Sequence, residues 1–258
     1  MTPAGELPKD RTPVKVPLLL LPGLTGDARC WGDAFVTALK KGGAEPHFYQ
    51  PPQDYSFERA VASASRMIEE RGEPCAVLGW SMGADAALRL ALKRPQLISA
   101  LVLCSACADQ KSLARRSDVQ DRLLNDPWPL WYRLLMGAVM PQSLRAHPAA
   151  AERFIRLMTD KAQSNARRWN AQRQALKAVP PLLELLPRIH VSTLVCAGDR
   201  DILFPPEEGR KIAAAMPRAK FRLFSAGHAV MYDCPRELAA EVTKFLAETN
   251  ARRTAETS

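Results

Sequence analysis

Short apolar runs alternate with amphipathic stretches along most of the chain. Val16–Leu21, Cys75–Leu78 and Ala100–Leu103 are continuous apolar runs of the length expected for strands that are buried on both faces of a parallel sheet. Between such runs, apolar residues recur at helical spacing, as they do from Phe57 to Ile68. The alternation of strand and helix predicts an α/β protein with a doubly wound, mostly parallel sheet.

The predicted elements follow one another in a regular order. The predicted strands are Val16–Leu21, Ala44–Gln50, Cys75–Leu78, Leu97–Cys104, Thr193–Ala197 and Phe221–Phe224. The predicted helices include Trp31–Lys40, the stretch from Phe57 that closes at Arg71-Gly72, Ala84–Leu92, Pro206–Met216 and Pro235–Ala247.

Residues 109–190 interrupt this order, because they contain several helical stretches and no strand-like run. Loops of this length without structure of their own are uncommon, so we predict a helical cap inserted between two strands. The chain then divides into an α/β core, residues 14–108 and 191–249, the cap, and flexible termini at 1–13 and 250–258.

Composition places the chain among globular proteins. Its 258 residues suit one large domain or a domain with an insertion, and 47% of them are hydrophobic. No stretch approaches the roughly 18 uninterrupted apolar residues of a membrane span, and residues 1–15 have no apolar segment of signal-peptide length. We therefore expect a cytoplasmic protein without a membrane span.

The net charge of +9 is concentrated in the predicted cap. Residues 109–190 contain fourteen Lys or Arg and seven Asp or Glu, hence +7 of the total. Such a segment indicates either a solvated helical face or attraction for an anionic substrate or an acidic partner protein. We expect no nucleic-acid partner, because no recognised binding module is present.

Neither a metal nor a nucleotide cofactor is expected. Cys104 and Cys107 have C-x-x-C spacing, but no second pair and no nearby histidine completes a metal site. The six cysteines are interpreted as buried thiols. The phosphate-binding patterns G-x-G-x-x-G and G-x-x-x-x-G-K-[ST] do not occur.

The chemistry of the chain is indicated by Gly79-Trp80-Ser81-Met82-Gly83, which reads G-x-S-x-G. An apolar strand precedes this motif and a helix follows it, which is the context in which a strained turn presents a serine hydroxyl above the sheet edge. Ser81 is therefore the candidate nucleophile. We expect that both flanking positions, Gly79 and Gly83, require a small residue because strand and helix cross there.

A serine nucleophile needs a base, and the base needs an orienting acid. Of four histidines, His228 lies in a loop between the last strand and the last helix, at the carboxyl edge of the sheet where ligands bind. His47, His147 and His190 are interpreted as structural. Two aspartates, Asp199 and Asp201, end the fifth predicted strand, and the residue pattern does not separate them.

With these residues the chain resembles the α/β-hydrolase superfamily over essentially its whole length beyond the leader. In that family the acid is commonly the last residue of G-x-x-D, which selects Asp201, and the histidine follows glycine, as in Gly227-His228. The resemblance implies an oxyanion hole formed by the backbone N–H groups of Leu24 and Met82.

Two departures from the family pattern affect these expectations. Many relatives carry His-Gly where this chain has Pro22-Gly23, but the donor is a backbone group, so function is not expected to be lost. The leader is too short for the extra antiparallel strands of larger relatives, which implies about six main strands, all parallel. Serine at the elbow excludes the epoxide hydrolases and haloalkane dehalogenases, which need aspartate there.

Within the superfamily the chain is most similar to the small capped carboxylesterases, a group that includes pimeloyl-[acyl-carrier protein] methyl ester esterase. The similarity includes Leu78-Gly79-Trp80-Ser81-Met82-Gly83 and, in the cap, Glu152-Arg153-Phe154, and it implies that Phe154 faces the substrate. Met158 and Trp80 are further candidates for substrate contact; packing of the cap on the core is an equal alternative for Phe154 and Met158, and packing beneath the elbow is the alternative for Trp80. The similarity also implies that basic cap residues meet an acidic carrier protein; the candidates are Arg153, Arg156, Arg167 and Arg168.

The expected activity is cofactor-independent hydrolysis of a carboxylic ester through an acyl-enzyme, with a small-molecule ester as substrate. Two alternatives stay open. A lactonase or carbon–carbon bond hydrolase would use the same triad, and a ligand-sensing protein would keep the fold with little turnover.

Overall fold

A computed structural model describes residues 15–108, 139–149, 151–156, 166–178 and 180–257. Six strands form one sheet: β1 Val16–Leu21, β2 Ala44–Phe48, β3 Cys75–Trp80, β4 Ile98–Cys104, β5 Thr193–Gly198 and β6 Ala219–Phe224. Their order is β2-β1-β3-β4-β5-β6, and all neighbouring strands are parallel. The predicted fold class is therefore confirmed.

Helices flank the sheet. The described α-helices include α1 Asp33–Lys41, α2 Phe57–Glu69, α3 Met82–Lys93, α4 Gln142–Arg145, α5 Ala166–Ala178, α6 Pro206–Ala215, α7 Val230–Asp233 and α8 Pro235–Thr257. Residues 151–156 are also helical. Helices α4 and α5 belong to the segment between β4 and β5, which was predicted as the cap.

The core has two layers, one on each face of the sheet. Along β1, Leu18 and Leu20 pack in the layer that contains residues of α1 and α8, whereas Leu19 and Leu21 pack with residues of α2 and α3. Successive side chains of a strand point to opposite faces, so a continuous apolar run is required where both faces are covered. That requirement explains why the central strands were recognisable in the sequence, whereas the edge strands β2 and β6 are partly exposed and carry polar residues.

The strand order reverses direction beside β1. Strand β1 lies between β2 and β3, so the chain leaves it first in one direction and later continues in the other. The loops that follow β1 and β3 diverge at such a reversal, and ligands of open α/β sheets bind there. Ser81 and Leu24 both lie in these loops.

Two predicted helices differ from the observed ones. The predicted helix Trp31–Lys40 is divided at Gly32, which has φ 71° and separates a 3-10 turn, Ala28–Trp31, from α1. The last helix was predicted to end at Ala247, but α8 continues to Thr257. Residues 248–257 contain no proline or glycine, so nothing in the sequence ends the helix. None of the described helices combines the length and apolar character needed to cross a bilayer.

Candidate active site

Ser81 occupies the turn between β3 and α3. Its backbone has φ 55° and ψ −121°, a conformation that residues other than glycine rarely adopt. The backbone N–H of Ser81 donates to the carbonyl of Cys104 at 2.9 Å, so the ladder of β3 and β4 continues up to this residue. Strain of this kind persists only where the surroundings impose it, and it is found at functional sites.

The two glycines of the motif are required because other backbone segments pass very close to them. A Cβ atom at Gly79 would collide with the backbone of Gly83 and Ala84. A Cβ atom at Gly83 would collide with the carbonyl of Leu21 at the end of β1. The first contact is the predicted crossing of strand and helix, whereas the second shows that α3 also begins directly against the neighbouring strand.

The loop after β1 passes beside Ser81. A Cβ atom at Gly23 would lie 3.3 Å from the Cβ of Ser81. The next residue, Leu24, is half-buried, and its N–H donates to no residue in the described part of the chain. Met82 begins α3, and the first N–H groups of a helix have no intrahelical acceptor. Two backbone donors therefore adjoin Ser81, one in the loop after β1 and one at the start of α3.

Asp201 and His228 form a buried pair. The Nδ1 of His228 lies 2.8 Å from Oδ2 of Asp201, and because a carboxylate only accepts, Nδ1 is the donor. The other oxygen, Oδ1, accepts from the backbone N–H groups of Leu203 and Phe204, each at 2.9 Å. This arrangement leaves Nε2 of His228 as the imidazole nitrogen that is available for proton transfer.

The pKa of Asp201 reflects opposing effects. Burial raises the pKa, but the charge of His228 and the hydrogen bonds from His228, Phe204 and Leu203 together outweigh burial, so the pKa lies below its ordinary value. The carboxylate is therefore ionised at neutral pH and able to orient an imidazole.

Asp199, the other candidate acid, has a different role. Its Oδ1 accepts from the backbone N–H of Ala226 at 3.0 Å and lies 3.7 Å from Nε of Arg200. Asp199 thus helps to hold the loop that carries His228 but does not bond the imidazole. Gly198 allows this loop to approach closely, because a Cβ atom there would collide with the carbonyls of Ala226 and Gly227.

His228 is held against the residue that precedes Ser81. Its carbonyl accepts from Nε1 of Trp80 at 3.0 Å and from Oγ of Ser105 at 2.8 Å. The imidazole packs between two aromatic rings, with centroid distances of 5.7 Å to Trp80 and 5.3 Å to Phe204. The structure therefore brings together the predicted nucleophile region, base and acid.

Sequence reasoning missed Ser105 and Phe204. Ser105 is buried, has φ 48° and directly follows β4, so a polar residue at the carboxyl end of a buried strand was the available signal. Phe204 lies in an irregular loop, where no periodicity marks it.

Three predicted substrate contacts have different outcomes. Trp80 is buried, packs on Trp31 at 6.4 Å and bonds the His228 backbone, which is the position beneath the elbow. Phe154 is buried and meets the ring of Tyr232 edge-on at 5.6 Å. Met158 lies outside the described residues. Substrate contact by these residues stays a prediction.

The other titratable candidates lie elsewhere. His47 is on β2 and contacts Arg71, with 2.8 Å between Nε2 and Nη1. All six cysteines are free thiols, and five of them are buried. Within the described ranges, no group of His, Cys, Asp or Glu is arranged to hold a metal ion.

One predicted surface residue is wrong. Arg168 was grouped with basic cap residues that face an acidic partner, but its exposed fraction is 1% and its guanidinium bonds backbone carbonyls. Arg153, Arg156 and Arg167 are exposed.

Comparison with known proteins identifies the relatives of this chain. A family described as the alpha/beta hydrolase family matches residues 18–241. The RutD protein of Stutzerimonas stutzeri, which is named as a carbamate hydrolase, is 30% identical over 219 residues, or 81% of this chain and 78% of that protein.

Solved structures share the fold. A thermophilic esterase from Thermogutta terrifontis has a TM-score of 0.75 at 21% identity, covering 92% of both chains. The enol-lactonase from Burkholderia xenovorans has a TM-score of 0.73 at 20% identity, covering 92% of this chain and 94% of that one.

Proposed function

The chain belongs to the alpha/beta hydrolase family, and from that membership we propose that it is a serine hydrolase of carboxylic esters with Ser81, His228 and Asp201 as its triad. The observation that carries the proposal is the buried hydrogen bond between His228 and Asp201. This pair is fixed against Trp80, the residue next to a serine whose backbone is strained as a nucleophile elbow requires.

The proposed reaction consists of acylation and deacylation, and the same groups act in both. Nε2 of His228 accepts the proton of the Ser81 hydroxyl while Oγ attacks the ester carbonyl carbon. The N–H groups of Leu24 and Met82 stabilise the oxyanion that develops. His228 then donates the proton to the departing alkoxide. In deacylation His228 takes a proton from a water molecule whose oxygen attacks the acyl carbon, and returns it to Oγ of Ser81 as the bond from Oγ to the acyl carbon breaks and the carboxylic acid leaves.

The test is an ester panel that varies acyl length and terminal charge, assayed with wild type and Ser81→Ala. Replacing the nucleophile should remove nearly all turnover, because only the oxyanion hole and substrate binding remain. The remaining rate should exceed that of the uncatalysed reaction in water by at most about 10³–10⁴-fold. The thermal midpoint should not fall, since Ser81 makes no side-chain cap to α3. Wild-type turnover in Ser81→Ala would overturn the proposal.

An anionic or carrier-linked acyl ester is the substrate class that the charge distribution favours. The exposed arginines of the inserted segment include Arg145, Arg153, Arg156 and Arg167. A surface of one sign raises the local concentration of substrates of the opposite sign. An acidic carrier protein would be attracted in the same way as a free anionic ester.

Carbamate hydrolysis is a second candidate, favoured by the likeness to RutD, which is named for it. A carbamate carbonyl can be attacked by the same nucleophile and stabilised by the same N–H groups. The panel should therefore contain carbamates and lactones beside esters. A stoichiometric burst of p-nitrophenol from short-chain esters, without turnover, would instead support a ligand-sensing protein.

A further inference from the structure

Thr25 follows Leu24 in the loop after β1 and has an unusual backbone. Its φ of 61° lies in the left-handed region, where a β-branched residue is an outlier. The residue is 1% exposed. The N–H groups of Leu24 and Thr25 belong to consecutive planar peptide units that are joined at the Cα of Leu24, so fixing the plane of the second unit restricts the direction of the Leu24 N–H.

Helix α5 of the inserted segment bonds both backbone polar groups of Thr25. The N–H of Thr25 donates to Oε1 of Gln172 at 3.1 Å, and its carbonyl accepts from Nη2 of Arg168 at 3.3 Å. Gln172 and Arg168 are four positions apart on one helix, so they lie on the same face, and each is 1% exposed.

Arg168 also connects a second loop. Its Nη1 donates to the carbonyl of Pro51, after β2, at 3.5 Å. The Nε atom of Arg168 is buried without a hydrogen-bond partner in the described part of the chain. Burial lowers the pKa of the Arg168 guanidinium, and the charge of Asp27 opposes this effect only in part. Burying such a group is unfavourable, so its retention indicates that holding these two carbonyls matters.

We propose that Gln172 and Arg168 are positioning residues that fix the backbone of Thr25 and so direct the Leu24 N–H toward the oxyanion. The inference rests on the proposed function, since it assigns these residues to the oxyanion hole of that site. Turnover then depends on a helix of the inserted segment as well as on the core.

The test replaces the acceptor while keeping the volume of the side chain. Gln172→Met should lower kcat by about tenfold to hundredfold with little change in KM, because a displaced donor is lost mainly from the transition state. Gln172→Glu keeps an acceptor oxygen and should recover most of kcat. Gln174→Met, at an exposed position of the same helix, is the matched control and should behave as wild type.

Two further measurements separate positioning from general damage. A trifluoromethyl ketone forms an oxyanion with the serine, so its inhibition constant should rise in Gln172→Met in parallel with the loss of kcat, whereas that of the carboxylate product should not change. Amide hydrogen exchange of the peptide that contains Thr25 should accelerate in Gln172→Met and not in Gln172→Glu.

The outcomes distinguish this inference from the proposed function. Faster exchange at Thr25 with wild-type kcat in Gln172→Met would overturn the positioning role alone. Full turnover in Ser81→Ala would overturn the proposed function, while exchange at Thr25 would still report the contact. If Gln172→Met does not fold, Arg168→Lys is the second variant, because it keeps the charge but loses the paired N–H donors of the guanidinium. Wild-type kcat and wild-type inhibitor affinity in Arg168→Lys would also overturn the inference.

Discussion

At the scale of single residues, the backbone carbonyl and Nδ1 of His228 hold the residue in place, and Nε2 is left for proton transfer. Its carbonyl is held by Trp80 and Ser105, and Nδ1 is held by Asp201. The general base proposed above needs one available nitrogen and an immobile ring, and these contacts are consistent with both requirements. The tautomer follows from the acceptor at Asp201, because a carboxylate cannot donate.

The two aspartates after β5 should respond differently to the same substitution. Asp201→Asn should lower kcat on the order of 10⁴-fold, because the amide favours the wrong imidazole tautomer. Asp199→Asn keeps an acceptor oxygen for the Ala226 N–H and should lower kcat little. Steady-state kinetics on one ester measures both. A large loss in Asp199→Asn alone would show that the acid is assigned to the wrong residue.

Ser105→Ala tests the support of the His228 backbone. Removing one of two donors to a buried carbonyl should lower the free energy of unfolding by about 1–2 kcal/mol and kcat several-fold. Urea unfolding and steady-state kinetics are the measurements. Ser63→Ala is the control, because its hydroxyl bonds Arg59 and Tyr49 around α2, and kcat should not change there. Unchanged kcat in Ser105→Ala would mean that the hydrogen bond from Trp80 alone is enough to hold the His228 backbone.

At the scale of elements, the site is made by the ends of parallel strands. Strands β1, β3, β4 and β5 contribute Leu24, Ser81, Ser105 and Asp201 from the loops that follow them. Parallel strands present all their carboxyl ends at one edge, so residues distant in the chain converge there. Hydrogen bonds between the loops, such as that from Ser105 to the His228 carbonyl, then fix their positions. The last loop, after β6, adds His228.

Two glycine substitutions separate steric collision from backbone strain. Gly83→Ala places a Cβ atom against the Leu21 carbonyl, so α3 or β1 must shift and the free energy of unfolding should fall by about 2 kcal/mol or more. Gly72→Ala meets no atom within 4 Å and should lose only about 1 kcal/mol through its φ of 76°. Urea unfolding measures both values. Equal losses would show that the approach of α3 to β1 is not what requires glycine at 83.

At the scale of the whole molecule, charge is distributed unevenly between the core and the inserted segment. Residues 109–190 account for +7 of a net charge of +9. The field of such a segment extends over about 10 Å at 0.1 M salt and about 3 Å at 1 M. The salt dependence of kcat/KM distinguishes a positive charge that attracts substrate from one that only interacts with solvent.

Added salt should lower kcat/KM for an anionic ester several-fold and leave a neutral ester of the same length unchanged. Arg153→Gln with Arg156→Gln should reduce the salt dependence, because both are exposed. Arg66→Gln, an exposed arginine of α2, is the control. Equal salt dependence for the two esters would assign the charge to solvation.

Much of the fold and part of the candidate site could be predicted from the sequence, because they depend on residues that are close together in the chain. Strands buried on both faces must be continuously apolar, so the order of elements was visible in the sequence. Ser81 was recognisable because its glycines and the flanking strand and helix are neighbours in the chain. The end of α8 was misjudged because a polar helix surface and a polar tail look alike without a breaking residue.

The sequence by itself determined the layers of the sheet, the elbow serine and the loop that holds the histidine, since each depends on neighbouring residues. Only the tertiary structure showed the hydrogen bond of His228 to Asp201, the support from Ser105 and the bond from Thr25 to Gln172, which lies 147 positions away. The physical reason is that a hydrogen bond depends on distances of about 3 Å between atoms. Separation along the chain does not fix those distances until the strands are paired.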